Sequence, residues 1–318
     1  MDNEIKLKLD SQQLGQIAQH HFGRELAHSR ELTDGWANTA YQLTLVDGFQ
    51  SVLKVAPTAV GALMRYEQDM MKTEVEVMRL VSQDRRIPVP EVYAYDQSRS
   101  LVPTDYFIMQ WLEGESYNKV KESFTQEERE QIEHQLGEYN ACINEFSGEK
   151  FGYYPLNEAF ASWTDAFGAM LQGVLDDATD AGVTLPAERY VIEQEVKERL
   201  PYLHAVTKPT LLHWDLWDGN IFIKDKRICG IIDFERAMWG DPLMEHYFSH
   251  FNLSETFLRG YGREALTAEE QIRRGLYDLY LDLILLIECA FRKYSDQTHL
   301  EWARSNATEG WERFLKLK

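Results

Sequence analysis

The chain has 318 residues, enough for one large domain or two ordinary ones with a real core. It is 44% hydrophobic and 27% charged, a soluble globular composition, and its net charge of −19 repels nucleic acid and anionic membrane while favouring a cationic partner. The three cysteines (Cys142, Cys229, Cys289) are far apart and form no C-x-x-C pair, so neither a disulfide framework nor a zinc site is expected. The start, "MDNEIKLKLDSQQ", is too charged for a signal peptide, and the apolar run "LILLI" is too short to span a bilayer, so the expected location is the cytoplasm.

In chain order, residues 11–28 have a helical pattern. Tyr41, Leu43 and Leu45 then alternate with Gln42 and Thr44, the period of a half-buried strand. Asp47-Gly48 is a hairpin signal, and the partner strand runs from about Phe49 to Val55. Leu63, Met70, Val77 and Leu80 predict a helix over about 60–83, which the prolines of "IPVPEVYAYD" end. "YFIMQWLEG" predicts one more buried strand running into a turn. The pattern then becomes helical. Thr125 and Glu128 form a capping box ahead of a helix to about Phe146, and 158–180 and 187–205 predict two more helices. Two short strands follow, Ile221–Ile223 and Ile228–Ile232. Asp241-Pro242 has the form of an N-cap and first helical residue, and helices fill the rest, including 267–293. The expected architecture is α+β and bilobal: a small antiparallel sheet lobe over 1–109, then a larger, mainly helical lobe over 110–318. A cleft between two lobes is a usual small-molecule site.

The densest polar cluster lies in "LLHWDLWDGNIFI", residues 211–223. Asp215 and Asn220 are five apart, and Asp233 ends the next strand in "GIIDFE". A hairpin of such short strands returns the end of the second beside the start of the first. An amide oxygen and a carboxylate then converge, a donor set that suits Mg²⁺ sharing phosphate oxygens. Asp215, one hydrogen bond further out, could take a proton from an attacking hydroxyl.

This H-x-D-x-x-x-x-N, followed by I-D-F, resembles the catalytic and metal loops of kinase-like phosphotransferases. With "GWANTAYQL", "SVLKVA", "TEVEVMRLV", "IPVPEVYAYD", "FIMQWLEGE" and "GIIDFERAMWGDP" in that order, the chain resembles the aminoglycoside phosphotransferase family over about residues 30–250. The resemblance implies a kinase-like fold, Mg²⁺, and ATP or GTP as phosphate donor. Asp215 would be the catalytic base, and Asn220 and Asp233 the metal ligands. Lys54 would hold phosphates, positioned by Glu74 in preference to Glu67 or Glu76. Backbone N–H groups of Asn38 and Thr39 would face phosphate, and backbone groups of Gln110, Trp111 and Leu112 the purine. His213 would organise the loop, and Asp241 would tie its helix start to the loop. Two departures stand out: Trp214 replaces the family's usual glycine, and "DFE" replaces the "DFG" of protein kinases. The absence of an A-P-E element argues against a protein substrate, and no Walker lysine motif is present.

The acceptor is less legible. Asp278 and Asp282 are four apart on one expected helix face, with Glu288 farther along, a pattern that suits a cationic, amine-bearing or sugar-like substrate. Trp163 and Trp217 are candidates to stack on it. "HxDLWxGN" also resembles ketosamine (fructosamine-type) kinases, and choline-type and other small-alcohol kinases share the general pattern. A nucleotide-binding pseudoenzyme is the alternative of another class. Retention of Lys54, Asp215, Asn220 and Asp233 together weighs against it.

Overall fold

The computed structural model describes residues 6–33, 38–58, 63–154 and 159–317. Helix α1 (Ser11–Phe22) is opened by an Asp10/Gln13 capping box. It stops at Phe22 because Gly23 takes the left-handed conformation (φ 65°), so the helix expected to reach residue 28 is shorter. The residues after it form a strand instead, β1 (Leu26–Leu32). β2 (Thr39–Leu45) and β3 (Gln50–Val55) make the hairpin around Asp47-Gly48. Helix α2 spans Met70–Val81 and begins some ten residues later than its apolar spacing suggests. β4 (Val92–Asp96) and β5 (Tyr106–Gln110) complete an antiparallel sheet of order β1-β2-β3-β5-β4.

Strand alternation gives this sheet two apolar faces. Tyr41, Leu43, Leu53, Val55, Tyr106 and Ile108 pack with Leu14 and Ile17 of α1. Val52, Phe107 and Met109 pack with Val75, Val77 and Met78 of α2. Lys54 is in register with Phe107 and shares this second face, so the pleat itself aims it at α2.

After the linker come β6 (Glu115–Ser116), α3 (Tyr117–Val120), α4 (Gln126–Ile143), β7 (Gly152–Tyr153), α5 (Trp163–Asp180) and α6 (Arg189–Arg199). The Thr125/Glu128 capping box is present at the start of α4. Pro201 falls where α6 gives way to a 3-10 turn over Leu200–Ala205. β8 (Thr210–Leu212), β9 (Ile221–Lys224), β10 (Arg227–Ile231) and β11 (Met238–Gly240) follow, then α7 (Glu255–Gly260), α8 (Ala268–Phe291) and α9 (Gln297–Lys316). Two small sheets, β10-β9-β6 and β7-β11-β8, frame the polar segment between β8 and β9. The helix expected at Asp241-Pro242 is one 3-10 turn, Pro242–Met244. Asp241 caps it by accepting from Leu243 N at 3.1 Å, but Glu245 then turns the chain extended. The main core is aromatic here: Trp163, Phe167, Tyr277 and Tyr280 are fully buried and mutually packed. Among the described residues no helix is long and apolar enough to cross a membrane.

Candidate active site

The β9–β10 hairpin pairs Ile231 with Ile221, which returns the end of β10 to the start of β9. Ile232 N then donates to Asn220 O at 3.0 Å, and Asp233 follows directly. The Asn220 amide nitrogen donates to Asp215 O (2.8 Å), so its oxygen is the end left for another partner. Asp233 sits in the left-handed region (φ 71°), a conformation aspartate tolerates better than most residues and one concentrated at functional sites.

Lys54 Nζ lies 2.6 Å from Glu74 Oε1 and 3.0 Å from Asp233 Oδ1. Strand β3, helix α2 and the metal loop therefore meet at one ammonium. Glu67 and Glu76 do not take this position. Glu67 accepts from Met64 N and pairs with Arg292 at 2.9 Å. The carboxylates of Glu74, Asp233 and Glu235 have oxygens within 4.8 Å of one another. One lysine faces all three. Burial raises the Glu74 carboxyl, and burial together with the Asp233 charge holds Glu235 well above the usual carboxylate range. Burial would raise Asp233 as well, but the Lys54 ammonium holds it below its ordinary value. The excess of buried negative charge, the orphaned Glu74 Oε2 and the oxygen-only donor set fit a hard divalent cation such as Mg²⁺.

The segment that carries Asp215 is pinned from behind. His213 is fully buried, packs on Phe234 at 4.3 Å, and has Nε2 2.9 Å from Ile232 O. The carbonyl can only accept, so Nε2 carries the proton. Burial lowers the imidazole's pKa and keeps the ring neutral. His213 therefore links the loop to the β10 end and does not face the reaction. Glu245, also fully buried, accepts from His213 N (2.9 Å), Trp214 N (2.8 Å), Asn140 Nδ2 (2.9 Å) and Asn144 Nδ2 (3.0 Å). The tie expected of Asp241 belongs to this residue. Asp241 instead accepts from Tyr277 (2.8 Å) and faces Arg273 (3.0 Å).

The Asp215 carboxylate is about a quarter exposed (26%). Burial pushes it up to about 6, against the pull of Arg236, whose Nε is 3.8 Å from Oδ2. A carboxylate tuned towards neutrality and open to one side has the character of a general base.

Gln110 N donates to Glu91 O (2.8 Å), so that N–H is committed to the sheet. Leu112 lies against Gly230, where a Cβ would come within 2.3 Å of its side chain. Thr39 is buried, and Asn38 Nδ2 donates to Glu235 Oε2 (3.2 Å). Residues 34–37 of the expected phosphate loop lie outside the described residues.

The Phosphotransferase enzyme family (APH) matches residues 28–277. The chain belongs to that family. Its fold is shared by an apo thermostable mutant of the aminoglycoside phosphotransferase APH(4)-Ia (TM-score 0.69, 19% identity, 94% of this chain and 98% of that one). A putative fructosamine-3-kinase from Haemophilus somnus is similar (TM-score 0.66, 19% identity, 93% and 96%). So is a thermostable mutant of APH(4)-Ia carrying a further substitution, in a ternary complex with AMP-PNP and hygromycin B (TM-score 0.68, 18% identity, 95% and 98%). A subtelomeric hrmA-associated cluster protein of Aspergillus fumigatus is 28% identical over 123 residues, 38% of this chain. The match spans about a quarter (23%) of that relative's length.

The family's glycine position holds Trp214 at φ 63°, its indole against Tyr66 and Tyr280. Of the acceptor candidates, Trp217 stays partly exposed and lies over Gly219. Trp163 is wholly core, its Nε1 bonded to Tyr277. Asp282 has no exposure and is taken by Asn306 (2.7 Å), His250 (3.1 Å) and Arg313 (3.0 Å), so it faces α9 and offers nothing to an acceptor. Asp278 pairs with Arg274 at 3.0 Å within α8. The fold brings only Glu288 of the three beside the loop, and it is neutralised by Arg292 (3.2 Å), with Arg236 at 3.7 Å. Sequence reasoning missed Glu245, Glu235 and Arg236. The signal for Glu245 was a lone acid in the apolar stretch "PLMEHYF"; for the other two it was charge directly after the metal loop.

Proposed function

We propose that the protein is a Mg²⁺-dependent small-molecule kinase that transfers the γ-phosphate of ATP or GTP to a hydroxyl of a sugar-like or amine-bearing acceptor. One observation carries the reading: Lys54–Glu74, Asp233, Asn220 and the poised Asp215 converge from distant parts of the chain on one site. Residues 1–109 hold the nucleotide, with Lys54 on its phosphates and the linker at Trp111–Leu112 against its base. Residues 110–318 hold the acceptor and the base. Mg²⁺ held by Asn220 and Asp233, with Glu235 beside them, would neutralise phosphate charge. Asp215 orients the acceptor hydroxyl and takes its proton as the oxygen–phosphorus bond forms and the bond to the β-phosphate breaks. His213 and Glu245 keep that carboxylate in line without touching substrate. Acceptors resembling hygromycin B and ketosamines are both supported by the named neighbours. The Trp217 indole, partly exposed two residues after Asp215, offers a face to a sugar ring or to a cationic amine.

The test is incubation with ATP or GTP, Mg²⁺ and a panel of aminoglycosides, ketosamines and simple amino alcohols, read by mass spectrometry. A product gaining one phosphoryl group, absent with Asp215→Asn, is the expected result. Nucleotide binding with no product from any hydroxylated acceptor would favour the pseudoenzyme. No nucleotide binding would refute the proposal.

A further inference from the structure

Arg236 has a guanidinium that sits among three carboxylates without a hydrogen bond to any of them. It ends the 3-10 turn Phe234–Arg236 directly after the metal loop, and only 12% of its side chain is exposed. Three carboxylates surround it at 3.7 Å (Glu288), 3.8 Å (Asp215) and 3.9 Å (Glu67), all beyond hydrogen-bond length. Its Nε is buried with no hydrogen-bond partner among the described residues. Neighbouring Arg292 differs: it hydrogen-bonds Glu67 at 2.9 Å and pairs with Glu288 at 3.2 Å, although Glu288 Oε2 keeps no hydrogen-bond partner among the described residues. A buried guanidinium without hydrogen bonds is costly.

Rings and these long ion pairs, and not hydrogen bonds, hold the fork. Its centre lies 5.5 Å from the Tyr66 ring and 5.9 Å from the Trp214 ring, which meet edge to face. Trp214 occupies a left-handed backbone position that strains a large side chain. The indole that replaces glycine packs in the core against Tyr66 and Tyr280 and also walls one side of Arg236.

An acceptor hydroxyl must come within about 3 Å of Asp215, and the attacked phosphorus within about 3.5 Å of that oxygen. A donor 3.8 Å from Asp215 Oδ2 lies inside that sphere. We propose that Arg236 is a further catalytic residue, its preset fork donating to the oxygens of the phosphoryl group during transfer. The planar guanidinium suits those oxygens, and a charge so placed acts most where negative charge spreads in the transition state. This inference rests on the kinase reading above.

The test measures binding, so it needs no identified acceptor. MgADP affinity is measured calorimetrically with and without fluoroaluminate, which mimics the phosphoryl group in flight, for the native protein, Arg236→Gln and Arg236→Lys. Melting curves confirm that each variant is folded. The native protein should bind MgADP and tighten on addition of fluoroaluminate. Arg236→Gln should keep its MgADP affinity within about twofold but lose on the order of 100-fold of the tightening, the worth of one charge-assisted hydrogen bond. Arg236→Lys, with charge but no fork, should fall between. Full tightening in Arg236→Gln overturns the inference, and so does equal weakening of MgADP and the complex, the mark of a structural role. Should Arg236→Gln fail to fold, full tightening in Arg236→Lys overturns it. A native protein that binds MgADP but gains nothing from fluoroaluminate overturns this inference and leaves the kinase reading standing. No MgADP binding at all removes both.

Discussion

Glu245 is the residue on which the catalytic loop should most visibly depend. Its carboxylate is fully buried and accepts four hydrogen bonds, two from the backbone of His213 and Trp214 and two from Asn140 and Asn144. Glu245→Gln keeps the shape but turns one acceptor oxygen into a donor. In either amide orientation that NH2 group faces a donor: Trp214 N, or the three donors at the other oxygen. At least one backbone N–H loses its partner, and the remaining bonds lose their charge assistance. Hydrogen bonds to a charged group are worth about 1.5–3 kcal/mol, and a buried unsatisfied donor costs about 1–3 kcal/mol. The expected destabilisation is therefore about 2–4 kcal/mol, a large part of the 5–15 kcal/mol typical of a folded chain. Because Asp215 follows Trp214 directly, turnover should fall as well, with nucleotide affinity less affected, since Lys54 and Glu74 sit on other elements. Urea titration at constant pH, paired with MgADP binding, separates the two effects. A Glu245→Gln protein within 0.5 kcal/mol of the native one, with full turnover (a threshold set by ordinary surface substitutions), would refute the assignment.

Asp215→Asn should lower turnover by roughly 10²–10⁴ while nucleotide still binds. The same carboxyl gives a pH signature. Its native value, about 6, lies above that of an unfolded aspartate, so the ionised group destabilises the fold above pH 6. Asp215→Asn should be more stable than the native protein at pH 7.5 by on the order of 1 kcal/mol, discounted for partial exposure. That gap should narrow as pH falls through 6 and close near 4; a gap that widens towards acid would contradict the burial argument. Activity in the native protein should decline below about pH 6. Lys54→Met should abolish tight MgATP binding and cost about 3–5 kcal/mol in denaturant titrations, because Glu74 and Asp233 lose their cation. A Lys54→Met/Glu74→Leu pair should recover part of the stability and none of the binding. Gly230→Ala should press on the tip of Leu112 at the linker, raising KM for the nucleotide a few-fold with kcat little changed.

Much of the fold and site can be read from local pattern. Residues 39–55 alternate with period two around an Asp-Gly turn, and they form the hairpin. Thr125 and Glu128 open a helix because a capping box is a local device that needs no distant partner. Asp215, Asn220 and Asp233 could be grouped because two short strands leave a hairpin only one way to return. Errors arose where a tertiary partner decided. Residues 24–28 carry helical spacing, yet Gly23 turns the chain and β2 offers a strand edge to pair with. Asp241-Pro242 has every local mark of a helix start, but the next acid, Glu245, is drawn to donors on α4 and on the loop. Asp278 and Asp282 make an acidic face on paper; in the fold that face meets α9 and basic side chains.

The sequence alone thus determined the element types over most of the chain, the grouping of Asp215, Asn220 and Asp233, and the family, because these rest on spacing within a few residues. Which glutamate meets Lys54, what anchors the catalytic loop, and which charges are spent inside the protein depend on groups that close only in space. Glu245 reaches back 32 residues to His213, and Arg292 reaches 225 residues to Glu67. No periodicity records contacts at that range. They are fixed by buried charge, which has to find an opposite charge or a hydrogen bond wherever the packed elements leave one.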